Sequence, residues 1–272
     1  LQAEHETKNW TKIRAKFVLW FAFMILMFFL LRGAKVSVFS RKVYLFVSFL
    51  LFGIVLGSDP SPMGTVKDAV VLFAGSKVIF PPRLVAMLIF LATVIIANKF
   101  ICSWGCQFGT IQDFLFRLNR DKKDTKGRIG QFKIPFVLSN SIRILFFAIF
   151  TFIAFGWAFD VFHYLDPFKL FNPAMLTITG MVFVGLLLVL SLFTYRPWCH
   201  LFCPFGLVGW LFEKLSVFKI RVDYAKCVSC ESCAKACPSS VMEAILKREK
   251  KVIPDCFSCG TCIEVCPTKA IS

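Results

Sequence analysis

The sequence predicts an α-helical integral membrane domain of about five spans, followed by a small C-terminal α+β domain built around eight cysteines. Three observations predict it. Of the 272 residues 57% are apolar and only 18% charged, a balance that soluble domains rarely show. The apolar residues gather into five segments whose connecting loops alternate in charge. The end of the chain carries two runs of four cysteines at identical spacing. The expected divisions are a tail at 1–16, a membrane domain at 17–216 and the cysteine-rich domain at 217–272.

The five apolar segments are Phe17–Leu31, Val43–Gly57, Leu84–Ile101, Ile144–Phe159 and Ala174–Phe193. Helices are the form expected of them, because a backbone crossing lipid must satisfy its polar groups within each segment. Most of the 34 phenylalanines fall in these runs, as lipid-facing surface would require. The formal charge of +16 does not collect on one face, which argues against a nucleic-acid partner. It alternates instead: +4 in 32–42, +4 in 101–133 and +4 in 196–272, against +1 in 58–83 and −1 in 160–176. By the positive-inside rule the first three face the cytoplasm, placing the cysteine-rich domain there and the N-terminus outside, or inside with four spans if the first segment is re-entrant or peripheral.

Two of the spans lead into a matching unit. Cys102-Ser103-Trp104-Gly105-Cys106-Gln107-Phe108-Gly109 and Cys199-His200-Leu201-Phe202-Cys203-Pro204-Phe205-Gly206 agree in both Cys, the Phe and the Gly. Each unit follows an Asp-Pro turn (Asp59-Pro60, Asp166-Pro167) and a span, and precedes an amphipathic stretch, 111–118 or 207–215, expected at the surface. An internal parallel repeat is therefore expected, its halves related by an axis along the membrane normal. Such symmetry would bring Cys102, Cys106, Cys199 and Cys203 together at one depth. Four thiolates suit a further iron centre, whether [2Fe-2S], [4Fe-4S] or a single iron; four unligated buried thiols are the alternative.

The C-terminal runs both read C-x2-C-x2-C-x3-C-P, the spacing of bacterial two-cluster ferredoxins, in which the fourth Cys of each run ligates the other cluster. Cys227, Cys230, Cys233 and Cys266 are thus expected on one [4Fe-4S] cluster, and Cys256, Cys259, Cys262 and Cys237 on a second. Zinc sites more often show two separated C-x2-C knuckles. All twelve cysteines fall in these ligand-type spacings, and thiolate ligation calls for a reducing compartment.

Other residues are assigned ordinary roles. Arg143, near the inner end of its span, is expected to snorkel, and Trp104 and Trp198 to join an interfacial aromatic belt. Asn119–Lys133 reads as a solvated, topology-setting linker. Asp59 and Asp166 read as turn initiators, and His200 as a hydrogen-bonding neighbour of its flanking cysteines. None of the three histidines falls inside a span, and no C-x-x-C-H occurs, so haem is not expected. No nucleotide-binding or Ser/His/Asp pattern points to a stand-alone catalyst.

The C-x3-C units followed by the double C-x2-C-x2-C-x3-C-P motif resemble the NapH/MauN-type and NosR-type membrane iron–sulfur proteins, with reductive-dehalogenase-associated relatives. The resemblance covers roughly Val43 to the C-terminus. It implies a cytoplasmic-membrane electron-transfer subunit of a larger complex, working between a ferredoxin, flavoprotein, quinone or cytochrome partner on either side. Two departures stand out: Gln107 occupies a position where the family usually has Pro, and no flavin-binding domain precedes the first span. A subunit of an ion-translocating redox complex and a redox sensor or maturation factor are the other readings of the same motifs.

Overall fold

The computed structural model describes residues 10–33, 36–55, 57, 61–77, 81–121, 124–157, 159–172, 176–249 and 255–271. It is mostly helical. Helix α1 (Trp10–Arg32) is followed by α2 (Val38–Ser48), which runs on as a π-helix, Phe49–Val55. Then come α3 (Pro62–Ser76), α4 (Pro81–Ala97), the short α5 (Phe100–Trp104), α6 (Gln107–Leu118) and α7 (Phe136–Trp157). A turn of helix at α8 (Phe162–Leu165) and a 3-10 turn at Pro167–Phe171 lead to α9 (Ile178–Phe193), the short α10 (Pro197–Leu201) and α11 (Pro204–Glu213). The C-terminal part carries only α12 (Ser232–Ala236), α13 (Val241–Leu246) and α14 (Thr261–Glu264).

Local chemistry sets these boundaries. Ser37 and Ser40 form a reciprocal capping box at the start of α2, and Ser61 caps α3 ahead of Pro62. Thr177 caps α9 by accepting from the Gly180 amide at 3.1 Å. Pro197 and Pro204 open α10 and α11, where a missing N–H costs nothing. Asp166 accepts from the Phe168 amide at 2.9 Å, as a turn initiator should; Asp59 and Pro60 lie outside the described residues.

Among the described residues, three stretches are long and apolar enough to cross a membrane, namely Arg14–Arg32, Val38–Val55 and Phe136–Trp157. Two shorter apolar helices, Pro81–Ala97 and Ile178–Phe193, accompany them. Their outward faces are apolar: Phe29, Phe152, Val182 and Ile178 are among the exposed large side chains, which lipid would cover. Inside, a continuous core joins Trp20, Phe52, Phe90, Trp104, Phe108, Phe150, Trp198 and Phe205.

The C-terminal part has its own small core of Cys233, Cys237, Val241, Met242, Cys256, Cys262 and Ile271. Its expected α+β character shrinks, among the described residues, to one antiparallel bridge, Val222–Ile271. The junction is pinned to the end of α4, where Val217 and Phe218 amides donate to Ile95 and Ile96 carbonyls at 2.8 and 2.9 Å.

Several assignments are corrected by burial. Arg143 does not snorkel: it is fully buried, and its Nη1 donates to Asp255 at 2.9 Å and to the Gly206 carbonyl at 3.1 Å. Trp104 and Trp198 lie in the core, not in a belt. Helices α6 and α11 are not surface helices. Asp113, Phe116 and Arg117 of α6 are buried, as are Leu207, Gly209 and Glu213 of α11. The 119–133 linker is not simply solvated either. Arg120 Nη1 donates to the Ala236 carbonyl at 2.9 Å and Lys133 Nζ to the Ala234 carbonyl at 2.7 Å, fastening the linker to α12. A charged group left unpaired in an apolar interior would cost several kcal/mol, so the fold supplies Arg143 and Arg120 with partners from other segments.

Candidate metal centres

The eight C-terminal cysteines gather in two cavities. Cys227, Cys230, Cys233 and Cys266 line one, together with Val222, Pro267 and Ile271. Cys237, Cys256, Cys259 and Cys262 line the other, with Pro238, Phe257 and Tyr195. Each cavity thus takes three cysteines from one run and the last cysteine of the other. Positive φ at Ser229, Glu231, Ser258, Gly260 and Lys269 turns the chain back around these cavities, as short cysteine spacings demand. The cavities differ in exposure. Cys230 is exposed and Cys227 half-buried in the first, whereas Cys237, Cys256 and Cys262 are buried in the second.

The remaining four cysteines are all buried within the helical part. Cys102 lies close enough to Cys106 and Cys203 for their charges to interact, and Cys199 to all three others. The two C-x3-C segments adopt the same local arrangement. In each the first Cys sits in a short helix, α5 or α10, and the second is the N-cap of the next helix, α6 or α11. The N-cap thiols of Cys106 and Cys203 lie near the amides of Phe108 and Gly109, and of Phe205 and Gly206, without a capping hydrogen bond to them. Glycine is required at both third positions by close approach: a Cβ on Gly206 would stand 2.7 Å from the Cys199 carbonyl oxygen, and one on Gly109 would overlap that of Cys102. A guanidinium reaches each of those carbonyls, Arg196 Nη1 at Cys102 and Arg143 Nη1 at Cys199, the latter at 3.4 Å. Trp20 closes over the first turn, with its Nε1 donating to the Gly105 carbonyl at 2.9 Å.

Do these residues fit a bound centre? Burial pushes the Cys203 thiol up to about 12, so thiolates here need a cation to hold their charge. Three buried donors beside the cysteines, Ser103 Oγ, Gln112 Nε2 and Trp198 Nε1, find no partner among the described residues. Buried donors without acceptors are rare, and acceptor atoms of a bound group would satisfy them. Among the described residues no three His, Cys, Asp or Glu side chains stand close enough to hold a single metal ion. A lone ion needs thiolate sulfurs about 3.8 Å apart, whereas a cluster sets its own iron and sulfide between its ligands. The C-x2-C-x2-C-x3-C-P donor set at the C-terminal end is of the iron–sulfur cluster type.

Two buried ionic networks join the helical part to the C-terminal part. In one, Asp255, immediately before Cys256, pairs with Arg143 and with Lys99 Nζ. Burial opposes its charge, but Lys99 and Arg143 more than offset that and hold its pKa at about 2. Glu213 adds a bond from the Cys256 amide at 2.7 Å, and burial raises its pKa to about 8. In the other, Asp113 accepts from Arg196 Nη2 at 2.6 Å, Arg117 Nε at 2.7 Å and Tyr195 hydroxyl at 3.0 Å. Arg117 also pairs with Asp124 and donates to Thr261 at 3.1 Å, while Arg41 bridges Asp124 and Glu264 at 3.2 and 2.8 Å. Sequence reasoning missed both networks. The one available signal was the excess of Arg and Lys at span ends, which snorkelling also explains. Among the described residues the His200 ring makes no short hydrogen bond: its Nδ1 is 3.9 Å from Asp255, and the ring faces Phe257 at 5.2 Å.

Helical spans, buried cysteine pairs and a two-cavity C-terminal part define a membrane-associated protein of the ferredoxin type. A family model described as a 4Fe-4S dicluster domain matches residues 220–272, and one described as a 4Fe-4S binding domain matches 79–126 and again 176–223. The chain is 31% identical over 170 residues to the putative electron transport protein YccM of Escherichia coli K12, covering 57% of this chain and 46% of that one. It is 25% identical over 180 residues to the methylamine utilization ferredoxin-type protein MauN of Methylobacillus flagellatus, covering 61% and 60%. With the regulatory protein NosR of Pseudomonas aeruginosa it shares 27% over 145 residues, covering 50% and 19%. The chain thus spans about half the length of its E. coli relative and a fifth of NosR. No solved structure matches it. These relatives and ferredoxin-type domains match the NapH/MauN/NosR-type iron–sulfur protein family.

Proposed function

We propose that the chain is a membrane-anchored iron–sulfur electron-transfer subunit, relaying electrons between a cytoplasmic carrier and a redox partner within or beyond the membrane. One observation carries this reading. The cavity of Cys237, Cys256, Cys259 and Cys262 abuts the segment that bears Cys199, through Tyr195 in its lining, while Cys230 of the other cavity is exposed. A soluble carrier reaches the cavity of Cys230, and the first one faces the four helix-borne cysteines.

When bound, each cluster accepts and returns a single electron. The residues do the rest. Cys227, Cys230, Cys233 and Cys266 would hold one [4Fe-4S] cluster, and Cys256, Cys259, Cys262 and Cys237 the second. Cys102, Cys106, Cys199 and Cys203 would hold a third centre, with the N-termini of α6 and α11 stabilising the Cys106 and Cys203 thiolates. Trp20, Trp104, Trp198 and Phe205 exclude water from it. Arg143, Arg196 and Lys99 supply buried positive charge beside it, which favours its more negative, reduced state.

The repeated match at 79–126 and 176–223 and the shared geometry of the two C-x3-C segments support a duplicated unit. Together with α4 and α9 as spans, this gives five crossings, with the ferredoxin-type domain on the cytoplasmic side of the inner membrane. Partner subunits and a ferredoxin, flavoprotein, quinone or cytochrome would complete the relay.

Iron and sulfide determination with EPR on the purified protein, beside a Cys102→Ser/Cys199→Ser variant, tests the reading. More than eight irons in the parent, falling to about eight in the variant, is expected for two cubanes plus a third centre. About eight in both would sink the third centre.

A further inference from the structure

Phe257 is an outlier in its own domain. It stands between the ligand-type residues Cys256 and Cys259 and lines their cavity, yet among the buried residues of 217–272 it alone joins the core of the helical part rather than the small C-terminal core. Its ring lies 5.6 Å from that of Tyr195 and 5.2 Å from that of His200, both within four residues of Cys199. Two cations face it: Lys99 Nζ at 5.5 Å from the ring centroid and Arg196 Cζ at 5.2 Å. Lys99 and Arg196 stand 97 positions apart, as do Cys102 and Cys199, so the ring lies between matching positions of the two segments. Each cation is also tied to the first segment, since the Cys102 amide donates to the Lys99 carbonyl at 3.0 Å and Arg196 Nη2 donates to the Ser103 carbonyl at 3.2 Å.

We propose that Phe257 is the positioning residue that locks the C-terminal domain onto the helical part and fixes the separation between the second cluster cavity and the four helix-borne cysteines. The inference rests on the relay reading above and names the contact that would make it work. The charged bonds around it, Asp255 with Lys99 and Arg143, orient the domain. The ring supplies what ion pairs lack: apolar area and a face that attracts both cations at once, within a dry interior where such contacts are strongest. A leucine keeps most of the area and loses the face; an alanine loses both and leaves a cavity.

The test uses the iron-loaded full chain in detergent, as parent, Phe257→Leu and Phe257→Ala. Iron content, tryptic cleavage after Lys219, and the spin–spin broadening in the EPR spectrum of the dithionite-reduced protein are read on all three. Cleavage reports undocking because Val217 and Phe218 are hydrogen-bonded to α4. Expected are unchanged iron in both variants, cleavage of Phe257→Ala faster by about tenfold or more, and loss of that part of the broadening which the Cys102→Ser/Cys199→Ser variant also lacks, with Phe257→Leu intermediate. Parental cleavage and parental broadening in Phe257→Ala, or faster cleavage with the broadening intact, would overturn the positioning role while leaving the third centre standing. A parent holding about eight irons overturns the third centre itself, and this inference with it.

Discussion

The two C-x3-C segments share a backbone and differ in who supplies the counter-charge. At the first, the arginine on the Cys102 carbonyl, Arg196, is held by Asp113 of the adjoining helix α6. At the second, the arginine on the Cys199 carbonyl, Arg143, is held by Asp255 of the C-terminal domain. The position in α11 that corresponds to Asp113 is Trp210, which carries no charge. One segment is therefore electrostatically complete within the helical part, and the other is complete only when the C-terminal domain is docked. The difference teaches that docking is built into the second segment, not added to a finished membrane domain.

Substitutions at the two carboxylates test that contrast most directly. Asp255→Asn leaves Arg143 buried without its counter-charge and Lys99 with only Glu213 at 3.9 Å, a loss of about 3–5 kcal/mol for a broken buried pair. It is expected to release the C-terminal domain, read as faster proteolysis at the junction. Asp113→Asn deprives Arg196 in the same way while Arg117 keeps Asp124, and a comparable loss of about 3–5 kcal/mol is expected. That loss should appear as a lower thermal midpoint of the helical part without domain release. Equal release by both variants would erase the distinction.

Gly109→Ala and Gly206→Ala come next, each forcing a Cβ onto a cysteine carbonyl at a cost of about 1–3 kcal/mol. Both should lower retention of the third centre, measured as iron per chain, by similar amounts, since here the segments are alike. An effect confined to one glycine would show that the shared geometry is not shared in function. The smallest effect is expected at the exposed pair Lys247–Glu243 on α13, where Lys247→Ala should leave junction cleavage and iron content unchanged.

Much of this was legible from spacing alone because its chemistry is local. Three cysteines at x2 intervals suit one centre, apolar runs must become helices in lipid, and an Asp-Pro turn caps itself. Arg143 and Asn119–Lys133 were misread for the opposite reason. A cation at the end of a span looks the same whether its head reaches water or a carboxylate, and the partner of Arg143 lies 112 residues away. Glycine at 109 and 206 was visible as a match but not as a contact.

The sequence by itself determined the ligand-type cysteines, the apolar segments and the pairing of the two C-x3-C units, since each is written in short intervals of the chain. Only the tertiary structure decided that Asp255 completes the second segment, that Phe257 leaves its own domain for the other's core, and that the linker serves as a clasp. Those outcomes depend on which distant groups find one another once water is excluded, where an unpaired charge or an unfilled space is too costly to leave.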